Sequence, residues 1–204
     1  MPGMTLTRRL LLATPLLLAA LPASAAEKLS LSQISEFLNG LKSAKAAFTQ
    51  INDDGTISTG TLYIRRPGRV RFEYDPPEEA LVMAGGGQVA IFDSKSNQPP
   101  EQYPLKRTPL NLILERNVNL GRANMVVGHE FDGTTTSVTA QDPENPEYGN
   151  IRLVFSGPPV ELRQWVITNG TGSQTTVVLR EMDHAPRLAA SLFSIPSEMQ
   201  KRSR

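Results

Sequence analysis

Few side chains in this sequence of 204 residues are equipped for covalent or metal chemistry. The two histidines, His129 and His184, have no second imidazole at the four-residue spacing that sets two ligands on one helix face around a metal. Either ring could act as a general base in a secreted hydrolase, yet no G-x-S-x-G elbow presents a serine to it. With 0 cysteines there is no thiolate nucleophile, disulfide framework, iron–sulfur cluster, Cys-based zinc site or lipid-modified N-terminal cysteine. Gly85-Gly86-Gly87-Gln88 lacks the Lys-Ser/Thr of a phosphate loop and reads as a turn. The acidic pairs Asp53-Asp54 and Glu78-Glu79 fall in turns, where carboxylates are solvated and not set astride a glycosidic bond. Lys and Arg number 21 against 20 Asp and Glu, and a net charge of +1 gives no grip on a nucleic acid backbone. No enzyme, metal or cofactor is expected, which leaves binding.

The elements that must position a binding site begin after an address. Arg8 and Arg9 precede an apolar run from Leu10 to Leu21, interrupted by Pro15, and Ala23-Ser24-Ala25 forms a small-x-small cleavage site. That run is short for a bilayer core of about 30 Å, so a cleaved export signal over residues 1–25 and one domain over 26–204 are expected. Thr7-Arg8-Arg9-Leu10 also fits a twin-arginine signal, and the export route stays open. Cleavage removes two arginines and no acid, taking the charge from +1 to 1 − 2 = −1.

Ser30 or Ser32 caps a helix whose apolar face comprises Leu31, Ile34, Phe37, Leu38, Leu41 and Ala44. Ala46 to Asn52, Ile57 to Arg65 and Arg69 to Tyr74 then read as strands separated by Asp53-Asp54-Gly55 and Arg66-Pro67-Gly68. Val70, Phe72 and Tyr74 share one face while Arg71, Glu73 and Asp75 share the other, as in a sheet with one apolar and one wet side. Ala80 to Ala84 and Gln88 to Phe92 flank the triple glycine as a hairpin. Between Asp93 and Met125, Pro99-Pro100 and Pro104 argue against regular pairing, and Pro109 opens a short helix over Leu110 to Glu115. Five further strands follow: Val126 to Phe131, Thr135 to Ala140, Asn150 to Phe155, Glu161 to Thr168 and Thr175 to Glu181. About ten strands with few helices and no βαβ alternation predict a mainly β (α+β) domain, an antiparallel sheet curled under covering helices.

Ala46-Ala47-Phe48-Thr49-Gln50, Gly60-Thr61-Leu62-Tyr63-Ile64-Arg65-Arg66-Pro67, Val70-Arg71-Phe72-Glu73-Tyr74, Val82 to Asp93 and Thr108-Pro109 resemble, in order and spacing, the periplasmic outer-membrane lipoprotein carrier (LolA-like) family. The resemblance implies a half-open antiparallel β-barrel of about eleven strands covered by helical lid segments. It implies a periplasmic chaperone that shields the acyl chains of lipoproteins in an apolar cavity and carries them from the inner to the outer membrane. The implied partners are acylated lipoproteins, an inner-membrane lipoprotein-releasing transporter and an outer-membrane acceptor, with the carrier itself a monomer. Arg66 matches the arginine that in relatives hydrogen-bonds lid backbone, with Arg65 as its competitor. Val70, Phe72 and Tyr74 would line the cavity, with Leu62, Ile64, Val89, Ile91, Leu153, Phe155, Trp165 and Ile167 as further candidates. Leu110, Ile113 and Leu114 would belong to a lid helix.

The chain departs from the family where Ala90 and Val70 stand in place of aromatics, which would alter the cavity's shape. The alternative reading is a lipoprotein-sensing regulatory or receptor module on the same fold, with no cargo release. If the first segment is an export signal, N-terminal sequencing of the extracted protein will read from Ala26 or a close neighbour. A membrane-bound chain starting at Met1 or Met4 would contradict it.

Overall fold

The computed structural model describes residues 27–96, 98–122 and 124–202, so the expected signal segment lies outside the described residues. The first helix, α1 (Leu31–Gly40), starts where Ser30 and Gln33 exchange hydrogen bonds: Gln33 N donates to Ser30 Oγ (3.3 Å), and Ser30 N to Gln33 Oε1 (2.8 Å). This capping box satisfies amides that have no partner within the helix. Ile34 and Leu38 are buried, whereas Leu31 and Phe37 are half-buried. Ala44, expected on the same helical face, lies instead in β1 (Ser43–Asn52), because the helix ends at Gly40 and the strand begins three residues before the expected start.

Strands β2 (Ile57–Arg65), β3 (Val70–Tyr74), β4 (Leu81–Gly85) and β5 (Gln88–Phe92) continue as antiparallel hairpins. The proline-rich middle, expected to be unpaired, contributes β6 (Glu101–Pro104) along the free side of β5. Pro104 is tolerated there because it ends an edge strand, and Leu105 N resumes the ladder by donating to Gly87 O (2.9 Å). A short helix α2 (Asn111–Leu114) follows, then β7 (Val126–Phe131), β8 (Thr136–Gln141), β9 (Asn150–Ser156), β10 (Glu161–Thr168) and β11 (Gln174–Asp183). Together they form one antiparallel sheet of 11 strands in the order β6-β5-β4-β3-β2-β1-β11-β10-β9-β8-β7. The sheet is open, with β6 and β7 as its two edges.

Its curvature follows from one contact. Phe72 on β3 and Trp165 on β10 lie with ring centroids 6.2 Å apart, although four strand spacings separate them, about 19 Å in a flat sheet. Only a strongly curled sheet brings them together. The main apolar cluster fills the concave side, where α1 also packs and sets Phe37 edge-on to Phe155. Asn39 of α1 exchanges two hydrogen bonds with the backbone of Val118, and Ser35 Oγ accepts from Leu120 N, so the chain after α2 is tied to this helix.

The convex side, expected to be wet at Arg71, is covered in part. A 3-10 turn at Ala190–Phe193 and the last helix, α3 (Ile195–Arg202), lie over β3 to β5. Leu81, Met83, Ala90, Phe92 and Ile195 form a second small core there. Ala90 therefore sits on the side away from the cavity, and its departure from the family's aromatic is a convex-side matter. Gly85 is required for this docking, since a Cβ would lie 2.1 Å from Phe193 O. Arg71 is buried and answers to Glu73 (2.6 Å), Glu198 (3.1 Å) and the carbonyl of Leu192 (3.2 Å).

Burial works to raise the Glu198 pKa, but hydrogen bonds from Arg202 and Arg71 overrule it, and the carboxyl titrates below its ordinary 4.5. A depressed native pKa stabilises the fold above the ordinary carboxylate range and loses that contribution as pH falls through the lowered value. Glu198→Gln leaves Arg71 without its main helix partner and should cost about 1–3 kcal/mol at neutral pH. Chemical denaturation at pH 7 and in acid checks this: the gap between wild type and variant is expected to shrink in acid.

Candidate functional site

On the concave side, the apolar residues leave a space of about 590 Å³. Phe72, Val82, Val89, Trp165, Ile167 and Val177 supply its apolar walls, and Thr108, Pro109 and Leu110 come down from the segment that carries α2. Of the cavity residues expected from sequence, Phe72, Tyr74, Val89, Trp165 and Ile167 line this space. Leu62, Ile64, Val70, Leu153 and Phe155 are buried in the solid core around it, and Ile91 is half-buried away from the lining. Of the lid residues, Leu110 reaches the space, while Ile113 and Leu114 are buried in the core beside Leu112. Sequence reasoning missed Val82, Tyr103, Arg107 and Val177. Val82 had a usable signal: it pairs across the ladder with Phe72, so the two share a face.

The segment over the cavity is held by the β2–β3 turn. The last carbonyls of so short a helix have no partners within it. Gly68 N donates to Leu114 O (2.9 Å), and the Arg66 guanidinium donates through Nη2 to the carbonyl of Glu115. Arg66 is itself fixed by its backbone N, which donates to Lys42 O (2.9 Å). Only 8% of it is exposed, and its Nε and Nη1 have no partner among the described residues. Burial pushes its pKa below the ordinary arginine value, with the Glu115 carboxylate pulling the other way. Arg65, the competitor, is half-buried and pairs through its backbone with Ser43, with no side-chain bond to the lid.

Inside the cavity, the Tyr74 hydroxyl donates to Gln50 Oε1 (2.6 Å). Burial pushes this phenol up to about 12, against the pull of the Gln50 bond, so it stays a neutral donor at physiological pH. The two histidines lie elsewhere. His129 Nε2 is 2.9 Å from Leu29 O, and His184 packs edge-on to Phe37 at 6.0 Å. Among the described residues no group of His, Asp and Glu is placed to hold a metal, and no helix is long and apolar enough to cross a membrane.

An open, strongly curled antiparallel sheet with an apolar hollow under a helical segment hydrogen-bonded to the β2–β3 turn defines a half-barrel. The sequence pattern of the family described as outer membrane lipoprotein carrier protein LolA matches residues 39–196, and the chain belongs to that family. Among curated relatives, the outer-membrane lipoprotein carrier protein of Dechloromonas aromatica is 28% identical over 203 residues, covering 93% of each chain. That of Azotobacter vinelandii is 25% identical over 193 residues, covering 91% of this chain and 92% of its own. That of Cupriavidus pinatubonensis is 26% identical over 172 residues, covering 79% and 80% respectively.

An accessible apolar hollow should bind an environment-sensitive hydrophobic dye in the native state. Phe72→Glu places a carboxylate on its wall and should abolish the fluorescence gain. Val82→Trp fills the space without burying a charge and should weaken binding at least several-fold. Undiminished dye binding by both folded variants would place the dye elsewhere.

Proposed function

We propose that the protein is a periplasmic chaperone for acylated lipoproteins, taking their acyl chains into the concave cavity and carrying them from the inner to the outer membrane. What carries this reading is the pairing of an apolar hollow with a latch, Arg66 on the carbonyl of Glu115, at the end of the covering helix. Each methylene removed from water gains about 0.8 kcal/mol, so acyl chains leave a bilayer for an aqueous space only under an apolar cover. The closed volume falls in the range of sites for single small ligands, about 300–1,000 Å³. Several chains need more room, which α2 provides by lifting.

Lifting costs the Arg66 bond and the burial of Leu112, Ile113 and Leu114, and it returns a desolvated guanidinium to water. A charge-assisted bond of this kind contributes roughly 1.5–3 kcal/mol, or one to two decades of cargo affinity spent on opening. That expenditure keeps the cargo transferable. The cycle requires an inner-membrane transporter that loads the carrier and an outer-membrane acceptor that relieves it. The carrier works as a monomer without cofactor, and residues 1–25 serve as its export signal.

Arg66→Leu removes the latch and adds an apolar group that favours the open, loaded form. In a spheroplast release assay this variant should accept lipoprotein and then fail to surrender it to outer membranes, accumulating as a soluble complex. Arg65→Leu should deliver as wild type does. Normal delivery by Arg66→Leu, or an equal defect in both, would remove the latch from the mechanism.

A further inference from the structure

Resting on the carrier reading, we infer that the end of the sheet around the β2–β3 turn is a docking surface for an acidic protein partner, and that a partner carboxylate takes Arg66 when the lid lifts.

Backbone contacts gather four cations at this end. Arg66 N donates to Lys42 O (2.9 Å), and Arg65 N donates to Arg69 O (3.0 Å). Arg116 follows Glu115, whose carbonyl accepts from Arg66, and Arg187 follows Pro186, whose carbonyl accepts from Ser43 Oγ (3.1 Å) beside Lys42. Lys42, Arg116 and Arg187 are exposed and Arg69 is half-buried, and none of the four has a side-chain hydrogen bond or ion pair among the described residues. Arg65, half-buried on the same turn, adds a fifth charge. The same segments carry two carboxylates: Glu115 accepts from Asn111 Nδ2 (3.3 Å) and Asp183 from Ala185 N (3.0 Å), and neither pairs with these cations. At the opposite end of the strands the turns carry Asp53, Asp54, Glu78, Glu79, Glu144 and Glu147, where Lys95 and Arg122 answer only Glu78 and Glu144. Charge so divided steers an acidic partner to the latch end.

Arg66 connects docking there to the lid. It is 8% exposed, and its Nε and Nη1 have no partner among the described residues, so the closed form hides two donors. With α2 lifted, the guanidinium is an exposed fork that a carboxylate matches bidentately. A partner offering that carboxylate binds the open form better than the closed one, which is the condition for shifting the lid towards opening. A lipid surface fits less well, since peripheral attachment draws on apolar side chains beside the cations. The exposed large apolar residues, Ile51, Ile57, Val127, Val178 and Met199, all lie outside these segments.

The test follows uptake by the purified protein of a neutral, pyrene-labelled diacylglycerol, whose two chains need more room than the closed space of about 590 Å³. At low salt, poly-L-glutamate is expected to speed uptake about tenfold, the scale of one charge-assisted bond replaced instead of lost, and added salt should remove the gain. The triple variant Arg69→Gln/Arg116→Gln/Arg187→Gln leaves the cavity walls and Arg66 in place. It should bind the probe at equilibrium as wild type does and lose the acceleration. Arg66→Leu should take up the probe quickly with or without the polymer, which separates capture of the guanidinium from attraction to the rim. No acceleration in the wild type, an equal effect of poly-L-lysine, acceleration that survives in either variant, or cosedimentation of the wild type with phosphatidylglycerol vesicles would overturn the inference while leaving the carrier reading standing. A wild type that binds no diacylglycerol at all would sink both.

Discussion

Phe72 and Trp165 touch edge to face across strands that a flat sheet would hold far apart, and the rest of the molecule depends on the curvature that this contact expresses. Eleven antiparallel strands with apolar side chains on one face have no stable flat form in water, because nothing else in a chain of this length is large enough to cover that face. Curling lets the face cover itself. It does so incompletely, since β6 and β7 remain edges and large side chains crowd one part of the hollow while leaving another open. The core around Leu62, Leu153 and Phe155 is solid, and the space begins where Val82, Val89 and Ile167 stand. The cavity is thus a by-product of the fold's main stabilising term.

An uncovered hollow would expose its apolar walls to water. The segment from Leu105 to Leu120 resolves this by being attached in two unequal ways. Leu112, Ile113 and Leu114 bury apolar surface, which is non-directional, whereas Arg66 and Gly68 hold the helix by two hydrogen bonds to its last carbonyls. The bonds fix where the covering segment sits. The net gain from the Arg66 bond is limited, because its guanidinium is desolvated and two of its nitrogens have no partner among the described residues.

The convex face solves a different problem with the same strands. Met83, Ala90 and Phe92 alternate with Val82, Val89 and Ile91, so β4 and β5 are apolar on both sides and need cover on both. The C-terminal helix supplies it, and Arg71 becomes the buried anchor for Glu198. The cavity side and the anchored side share β3, on which Phe72 faces the cavity and Arg71 the C-terminal helix.

The sequence by itself determined the local grammar. Strands Ile57–Arg65, Gln88–Phe92, Val126–Phe131 and Glu161–Thr168 have the bounds their alternation and turn residues dictate, and Ser30 starts the first helix because its capping partner lies three residues on. The antiparallel, curled, helix-covered architecture also follows from these local rules. Where neighbours distant in sequence decide, the sequence was silent or misleading. Period-two alternation marks Leu62, Val70 and Phe72 alike as inward, but only the packed sheet decides that Phe72 borders open space and the others do not. Arg65 and Arg66 are indistinguishable as adjacent cations until the turn aims one at the lid, and Arg71 looks wet until α3 covers it. Burial and hydrogen-bond partnership are properties of the surroundings, which for these side chains are assembled from strands and helices tens of residues away.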